Sequence, residues 1–188
     1  MAVEPPNDLS RVVVIGTSCS GKTTFARELA AHLDAPHFEL DALHWLPGWV
    51  AREPLDFRSL IAEQVDGHAW VTEGNYKAVR HLIFERASAI IWLNYPFPLV
   101  LWRAIKRTTH RAITGQKVCG DNRESIRIAF FSRHSIILWV ITSFHRRRRD
   151  YRALFDGDAF PHAEKIELTS QDAAAAFLSS INRRKRHS

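Results

Sequence analysis

Residues 12–24 read VVVIGTSCSGKTT, and most of what the chain implies about itself radiates from this stretch. Four β-branched apolar residues, Val12, Val13, Val14 and Ile15, stop abruptly at Gly16. An unbroken apolar run of this length reads as a strand buried on both faces. The next eight positions, Gly16 to Thr23, fit G-x-x-x-x-G-K-[ST], a phosphate-binding loop set between a strand and a helix. Glycines let such a backbone wrap closely around a polyphosphate, and the helix behind it directs its positive dipole end at the same anion. The expected nucleotide-binding residues are therefore Gly16, Ser18, Cys19, Ser20, Gly21, Lys22, Thr23 and Thr24. Lys22 is expected to reach the β- and γ-phosphates of ATP, and the Thr23 hydroxyl to ligate Mg²⁺.

Outward from the loop, apolar spacing alternates between strand and helix. A helix over 22–33 places Phe25, Leu29 and Leu33 on one face, and Pro36 breaks it. A short apolar run over 37–40 ends at Asp41, followed by an aromatic loop carrying Trp45 and Trp49. Helices are predicted over 54–66, 77–86 and 98–114, with strands over 69–72 and 89–93 between them. A Gly-bearing loop over 115–122 precedes a largely helical region over 123–155. A last strand over 164–168 leads through Thr169 and Ser170 into a final helix, and residues 183–188 form a basic tail expected to be disordered. This order predicts an α/β fold: a parallel sheet with helices on both faces, in one domain over 1–182, with a helical lid at about 103–125.

Composition excludes several classes. Apolar residues make up 46% of the 188 and charged residues 24%, as in ordinary soluble domains. No apolar run approaches the roughly 18–20 residues that cross a bilayer; the longest late segment, 136–144, reads as a core or lid helix. The first ten residues show neither a basic start nor an apolar core, so no signal peptide is expected. Cys19 and Cys119 make no disulfide framework, which fits a cytoplasmic protein. Ten histidines show no metal-ligand spacing with cysteine, so no structural zinc is expected. Charge is uneven: residues 1–94 hold 8 Lys/Arg against 12 Asp/Glu, and residues 95–188 hold 18 against 8. A basic second half suits either phosphate groups or nucleic acid.

In doubly wound sheets, ligands sit at the carboxyl ends of the strands. Asp41, Glu73 and Asn94 occupy such ends in this reading. A phosphoryl transferase needs one carboxylate for the Mg²⁺ shell and one group for the acceptor's proton. Glu73 is assigned to the metal and Asp41 to the acceptor, roles that could be exchanged; either could instead cap a turn. Gly74 allows close backbone approach, Asn75 and Tyr76 could bond the acceptor, and Arg58 could pair with an anionic one. Trp45 and Trp49 either wall the acceptor pocket or simply pack. Along 98–114, Arg103, Arg107 and Arg111 recur at i, i+4, i+8, with Leu101, Ile105 and Thr108 expected about 200° away facing the core. Guanidinium forks suit phosphate, so Arg107 and Arg111 are candidate catalytic residues on a lid. The run 146–149 and the tail are read as solvated surface, with nucleic-acid contact as the sharper alternative.

The ordered set GTSCSGKTT, FELDALHWLPGW, WVTEGNY and IIWLNYP followed by LWRAIKRTTHR resembles the bacterial DNA topology modulation proteins. These are small P-loop proteins similar to adenylate and shikimate kinases, and the resemblance spans roughly residues 11–155. It implies the nucleoside/shikimate-kinase type of P-loop fold, with five parallel strands in the order 2-3-1-4-5 and an arginine-bearing lid. By that resemblance Asp41 looks like the acceptor-site aspartate of shikimate kinases, and Glu73-Gly74 like the Asp-Gly of adenylate kinases. Arg107 and Arg111 look like lid arginines. Glu73 stands where that Asp is usual, and the loop with Trp45 and Trp49 matches neither an AMP site nor a shikimate site. Two readings follow. One is an ATP- and Mg²⁺-dependent kinase acting on a small metabolite or nucleotide; the other is a nucleotide-binding regulator that contacts DNA through its basic half. A weak ATPase without an acceptor is a third.

Overall fold

The computed structural model describes residues 5–114, 117–118, 122–123 and 135–185. Strand β1 (Arg11–Gly16) runs into helix α1 (Lys22–Leu33), and β2 (His37–Glu39) follows. A short helix α2 (Leu40–His44) leads to a small antiparallel pair, β3 (Trp45–Leu46) and β4 (Val50–Ala51), then to α3 (Pro54–Gln64). Next come β5 (Trp70–Glu73), α4 (Lys77–Phe84), β6 (Ala89–Leu93) and α5 (Phe97–Thr114). A second pair, β7 (Lys117–Val118) and β8 (Asn122–Arg123), precedes α6 (Ile136–Asp156), β9 (Glu164–Leu168) and α7 (Gln171–Lys185).

Five parallel strands form one sheet in the order β2-β5-β1-β6-β9, which is the expected 2-3-1-4-5. β1 lies at the centre, so the order reverses beside it and the crevice at its carboxyl end opens next to Gly16. Its apolar run is continuous because both faces are covered. Val12 and Val14 pack with Phe25 and Leu29 of α1 and Phe177 of α7, whereas Val13 and Ile15 pack with Phe57, Ile61 and Ile83 of α3 and α4. Helix α6 gives Val140 and Phe144 to the first layer and Tyr151 to the second, so it crosses from one face of the sheet to the other. Arg147 sits at that crossing.

Four sequence expectations change. β2 ends at Glu39, so Asp41 stands in the first turn of α2 and not at a strand end. The core line of α5 is Val100, Ala104 and Thr108, all fully buried, while Ile105 is 43% exposed. The arginine stripe therefore lies beside the buried face instead of opposite it. Residues 183–185 continue α7, so the basic tail is helical up to Lys185; residues 186–188 lie outside the described residues. Most of the 115–122 loop, Cys119 and the 124–134 part of the expected helical region also lie outside them. Of the 136–144 segment, Val140 and Phe144 are core, while Leu138, Trp139 and Ile141 are exposed.

Candidate functional site

The loop half of the candidate site is built by β1, the loop after it and α1. The Ser20 N–H donates to the Thr17 carbonyl at 3.2 Å, closing a tight turn, and Cys19 takes the left-handed region at φ 64°. Gly21 caps α1 at φ 91°, ψ 20°, a conformation that favours glycine, and no side chain caps this helix. The first-turn N–H groups of α1 are thus left for an anion. Lys22 Nζ donates to the Thr17 carbonyl at 3.0 Å, arching over the loop. Ser20 Oγ is buried without a partner among the described residues, an orphan acceptor and donor inside the loop. Ser18 and Thr23 are half-buried, and Thr24 is exposed.

Thr23 Oγ1 donates to Glu73 Oε1 at 2.8 Å, joining the loop to the carboxyl end of β5. Glu73 is 2% exposed, and burial pushes its carboxyl above the ordinary value despite the Lys22 ammonium and the Thr23 bond. Burial likewise lowers Lys22, with the Glu73 charge opposing the shift. No group of three or more His, Cys, Asp or Glu able to hold a metal occurs among the described residues. A hydroxyl and one carboxylate are instead the hard-oxygen set that suits Mg²⁺ shared with phosphates and water, so the residues present fit that ion.

Across Gly74 lies a second polar pair: Tyr76 Oη donates to Asp41 Oδ1 at 2.7 Å. A Cβ on Gly74 would come within 2.8 Å of Leu40, so only glycine lets the β5–α4 turn pass this close to α2. Rings gather around the pair. His44 lies 4.6 Å from Tyr76, 4.9 Å from Phe57 and 4.8 Å from Trp45, and Trp45 meets Trp49 edge-on at 5.7 Å. The two tryptophans therefore pack with each other and, through His44, with the ring of the Asp41 partner. His44 is kept below its ordinary value by burial, against the pull of Asp41.

Other expected residues fall differently. Asn75 Nδ2 donates to the Gly16 carbonyl at 2.8 Å, and its Oδ1 accepts from Tyr151 Oη, so its amide ties the phosphate loop to α6. Asn94 Nδ2 donates to Glu167 Oε1 at 2.5 Å, which ties the end of β6 to β9. Arg58 is exposed on α3 and makes no ion pair among the described residues. Arg107 and Arg111 are half-buried on α5, and Arg107 Nε is buried without a partner among the described residues.

Two arginines were not among the expected site residues. Arg103 donates to the Ser20 carbonyl at 2.7 Å and lies 5.1 Å over the Tyr95 ring, pinning α5 to the phosphate loop. Arg147, expected as solvated surface, is half-buried, and its charge acts on both Lys22 and Tyr151. Arg103 was legible as a member of the stripe. Arg147 was hidden in a run of four arginines, where only the crossing of α6 over the sheet distinguishes one from the next.

The architecture is that of known kinases. A gluconokinase from Sinorhizobium meliloti 1021 superimposes with a TM-score of 0.53 at 16% identity, covering 95% of each chain. Shikimate kinase from Aquifex aeolicus gives 0.53 at 14% identity, over 94% of this chain and 96% of its own. A sugar kinase from Janibacter sp. HTCC2649 gives 0.51 at 18% identity, over 96% and 94%. At such identities the likeness is one of fold: the chain has the P-loop fold of the nucleoside/shikimate-kinase type. No protein-family model and no curated protein matches the sequence, so nothing in these comparisons assigns it to the DNA topology modulation proteins.

Proposed function

We propose that the protein is an ATP- and Mg²⁺-dependent phosphotransferase acting on a small-molecule acceptor. The observation that carries this reading is the Thr23–Glu73 hydrogen bond of 2.8 Å beside Lys22, with the Tyr76–Asp41 pair across Gly74. The kinase fold of the structural neighbours supports it. Bound ATP would supply the γ-phosphoryl group, and Mg²⁺ would neutralise its developing charge. Residues 16–24 cradle the phosphates through backbone N–H groups, and Lys22 compensates their charge. Thr23 holds the metal, with Glu73 in its water shell. Asp41, oriented by Tyr76, accepts or aligns the acceptor hydroxyl's proton. Arg107 and Arg111 are assigned to the phosphoryl oxygens. Asn75 is assigned to the loop and α6 rather than to the acceptor, since both ends of its amide are engaged.

A screen of nucleotides, sugars and hydroxy acids for stimulated ATP consumption tests the proposal, with Lys22→Ala as the blank. At least one acceptor should raise wild-type consumption by roughly tenfold or more, the scale expected when an acceptor is correctly positioned. Wild type matching the blank across the panel would overturn it.

A further inference from the structure

Nine large apolar side chains are exposed among the described residues, and six of them stand on two helices. These are Trp102, Ile105 and Ile113 on α5, with Leu138, Trp139 and Ile141 on α6. Most follow the helical period. Trp102, Ile105, Lys106, Thr109 and Ile113, at i, i+3, i+4, i+7 and i+11, run along one outer face of α5, and all are exposed. Leu138, Ile141, His145 and Arg149, at i, i+3, i+7 and i+11, do the same along α6. The two faces adjoin. Phe97 of α5 packs on the buried Phe144 at 5.1 Å and on the exposed His145 at 5.8 Å, so the outer face of α6 borders α5. Apolar surface left open across two packed helices marks a place of contact.

Charge narrows the partner. Residues 97–114 hold four Lys/Arg and residues 136–149 another four, without one Asp or Glu in either stretch. Arg103 turns to the phosphate loop and Arg147 is half-buried, but Lys106, Arg146, Arg148 and Arg149 are exposed. Lys106 Nζ lies 5.1 Å over the Trp102 ring, so a cation and an indole share one spot on the surface. The fitting partner is anionic and also takes up aliphatic and indole side chains. A nucleic acid answers the cations and stacks on aromatic rings, but it offers no apolar phase to Ile105, Ile113, Leu138 or Ile141. A second copy of this face would bring like charges together. A rigid protein surface would need pockets for side chains that stand out as far as Trp102 and Ile113, 57% and 78% exposed. The boundary of an anionic bilayer needs none: its headgroup phosphates meet Lys and Arg, and indole and aliphatic side chains settle just beneath them. No helix among the described residues is long and apolar enough to cross a membrane, so this contact lies on the surface and does not span it.

We propose that the outer face of α5 and α6 docks the protein on an anionic lipid surface. The proposal is independent of the phosphotransferase reading, because none of the residues that form this face is assigned to the phosphate loop or the acceptor.

Co-sedimentation of the full chain with vesicles tests it, comparing equal parts of phosphatidylglycerol and phosphatidylcholine with phosphatidylcholine alone. Wild type should partition onto the anionic vesicles roughly tenfold or more above the neutral ones, and lose that preference as salt rises. Two double variants divide the contributions. Ile105→Glu with Ile141→Glu removes apolar contact, and Lys106→Glu with Arg149→Glu removes charge; each should weaken partitioning roughly tenfold or more. All four positions are exposed, so both pairs should keep the wild-type thermal midpoint; if the first pair lowers it, the second decides. Absent binding to anionic vesicles, equal binding to neutral ones, or full binding by either folded pair overturns the proposal. A wild-type dimer that Ile105→Glu with Ile141→Glu dissociates also overturns it, making the face an interface between copies. So does binding to duplex DNA, with vesicles ignored, that the charge pair abolishes and the apolar pair keeps.

Discussion

Glu73 carries the sharpest conflict between stability and chemistry in this molecule. Its folded pKa lies above the ordinary carboxylate value because burial outweighs Lys22 and Thr23. A raised carboxyl binds its proton more tightly in the folded state, so the stability it contributes is full below the unfolded pKa and is lost as pH rises through the folded one. Glu73→Gln removes that loss while keeping the shape and a hydrogen-bond acceptor for Thr23. The variant should therefore melt at a higher temperature than wild type at pH 8, with the difference closing as pH falls toward the ordinary carboxylate range. Its turnover should fall by roughly two orders of magnitude, the usual effect of removing a group that acts on transition-state charge. Thermal melts across pH and steady-state assays check both halves; a variant less stable than wild type at pH 8 contradicts the burial argument. The sequence showed Glu73 because Gly74 follows it at a strand end. It did not show Tyr151, whose bond to Asn75 joins positions 76 residues apart, and such partners are a property of the folded chain.

Among the elements, α5 shows how far periodicity reads and where it stops. The stripe of Arg103, Arg107 and Arg111 was legible and Thr108 is buried as expected, yet Leu101 and Ile105 were placed on the core face where Val100 and Ala104 stand. The error has a physical source: small residues at Ala104 and Thr108 let the helix lie close to its neighbours, and hydrophobicity alone ranks a larger Ile first. Because the stripe flanks the buried face, its first member reaches the loop at the Ser20 carbonyl. Arg103→Ala loses a charge-assisted bond and a stack on Tyr95, together about 2 kcal/mol, or about 4–8 °C in melting temperature for a chain of this size. Arg107→Ala and Arg111→Ala should behave differently, cutting turnover by about a hundredfold while changing nucleotide affinity by less than about tenfold. Unchanged turnover in both would remove these arginines from the proposed chemistry. α2 was missed as an element because five residues carry too little periodicity to separate a helical turn from the end of a strand.

For the whole molecule, the alternation of short apolar strands with helices made a parallel sheet legible, whereas the order 2-3-1-4-5, which is the one observed, was implied only by the resemblance to small P-loop kinases. The candidate acceptor side was legible as single residues but not as one assembly, because it is built from three pieces far apart in sequence: α2, the β5–α4 turn with α4, and α6. The basic balance of the second half also takes on a different look in three dimensions: Arg103 and Arg147 turn toward the loop and Lys22 instead of forming an outward surface. If these cations serve a bound nucleotide, the fold as a whole should register it. A non-hydrolysable ATP analogue with Mg²⁺, at 100 times its dissociation constant, should stabilise the protein by about 2.7 kcal/mol, raising its melting temperature by about 5–10 °C. Lys22→Ala should show no such rise, and chelating the Mg²⁺ should shrink the wild-type shift. Duplex DNA at equal mass concentration should leave the melting temperature where it was at physiological salt, since DNA binding would appear as a stabilisation that fades steeply as salt increases. A melt that responds to DNA and not to the nucleotide would mean that the basic half faces a different partner from the one the phosphate loop implies.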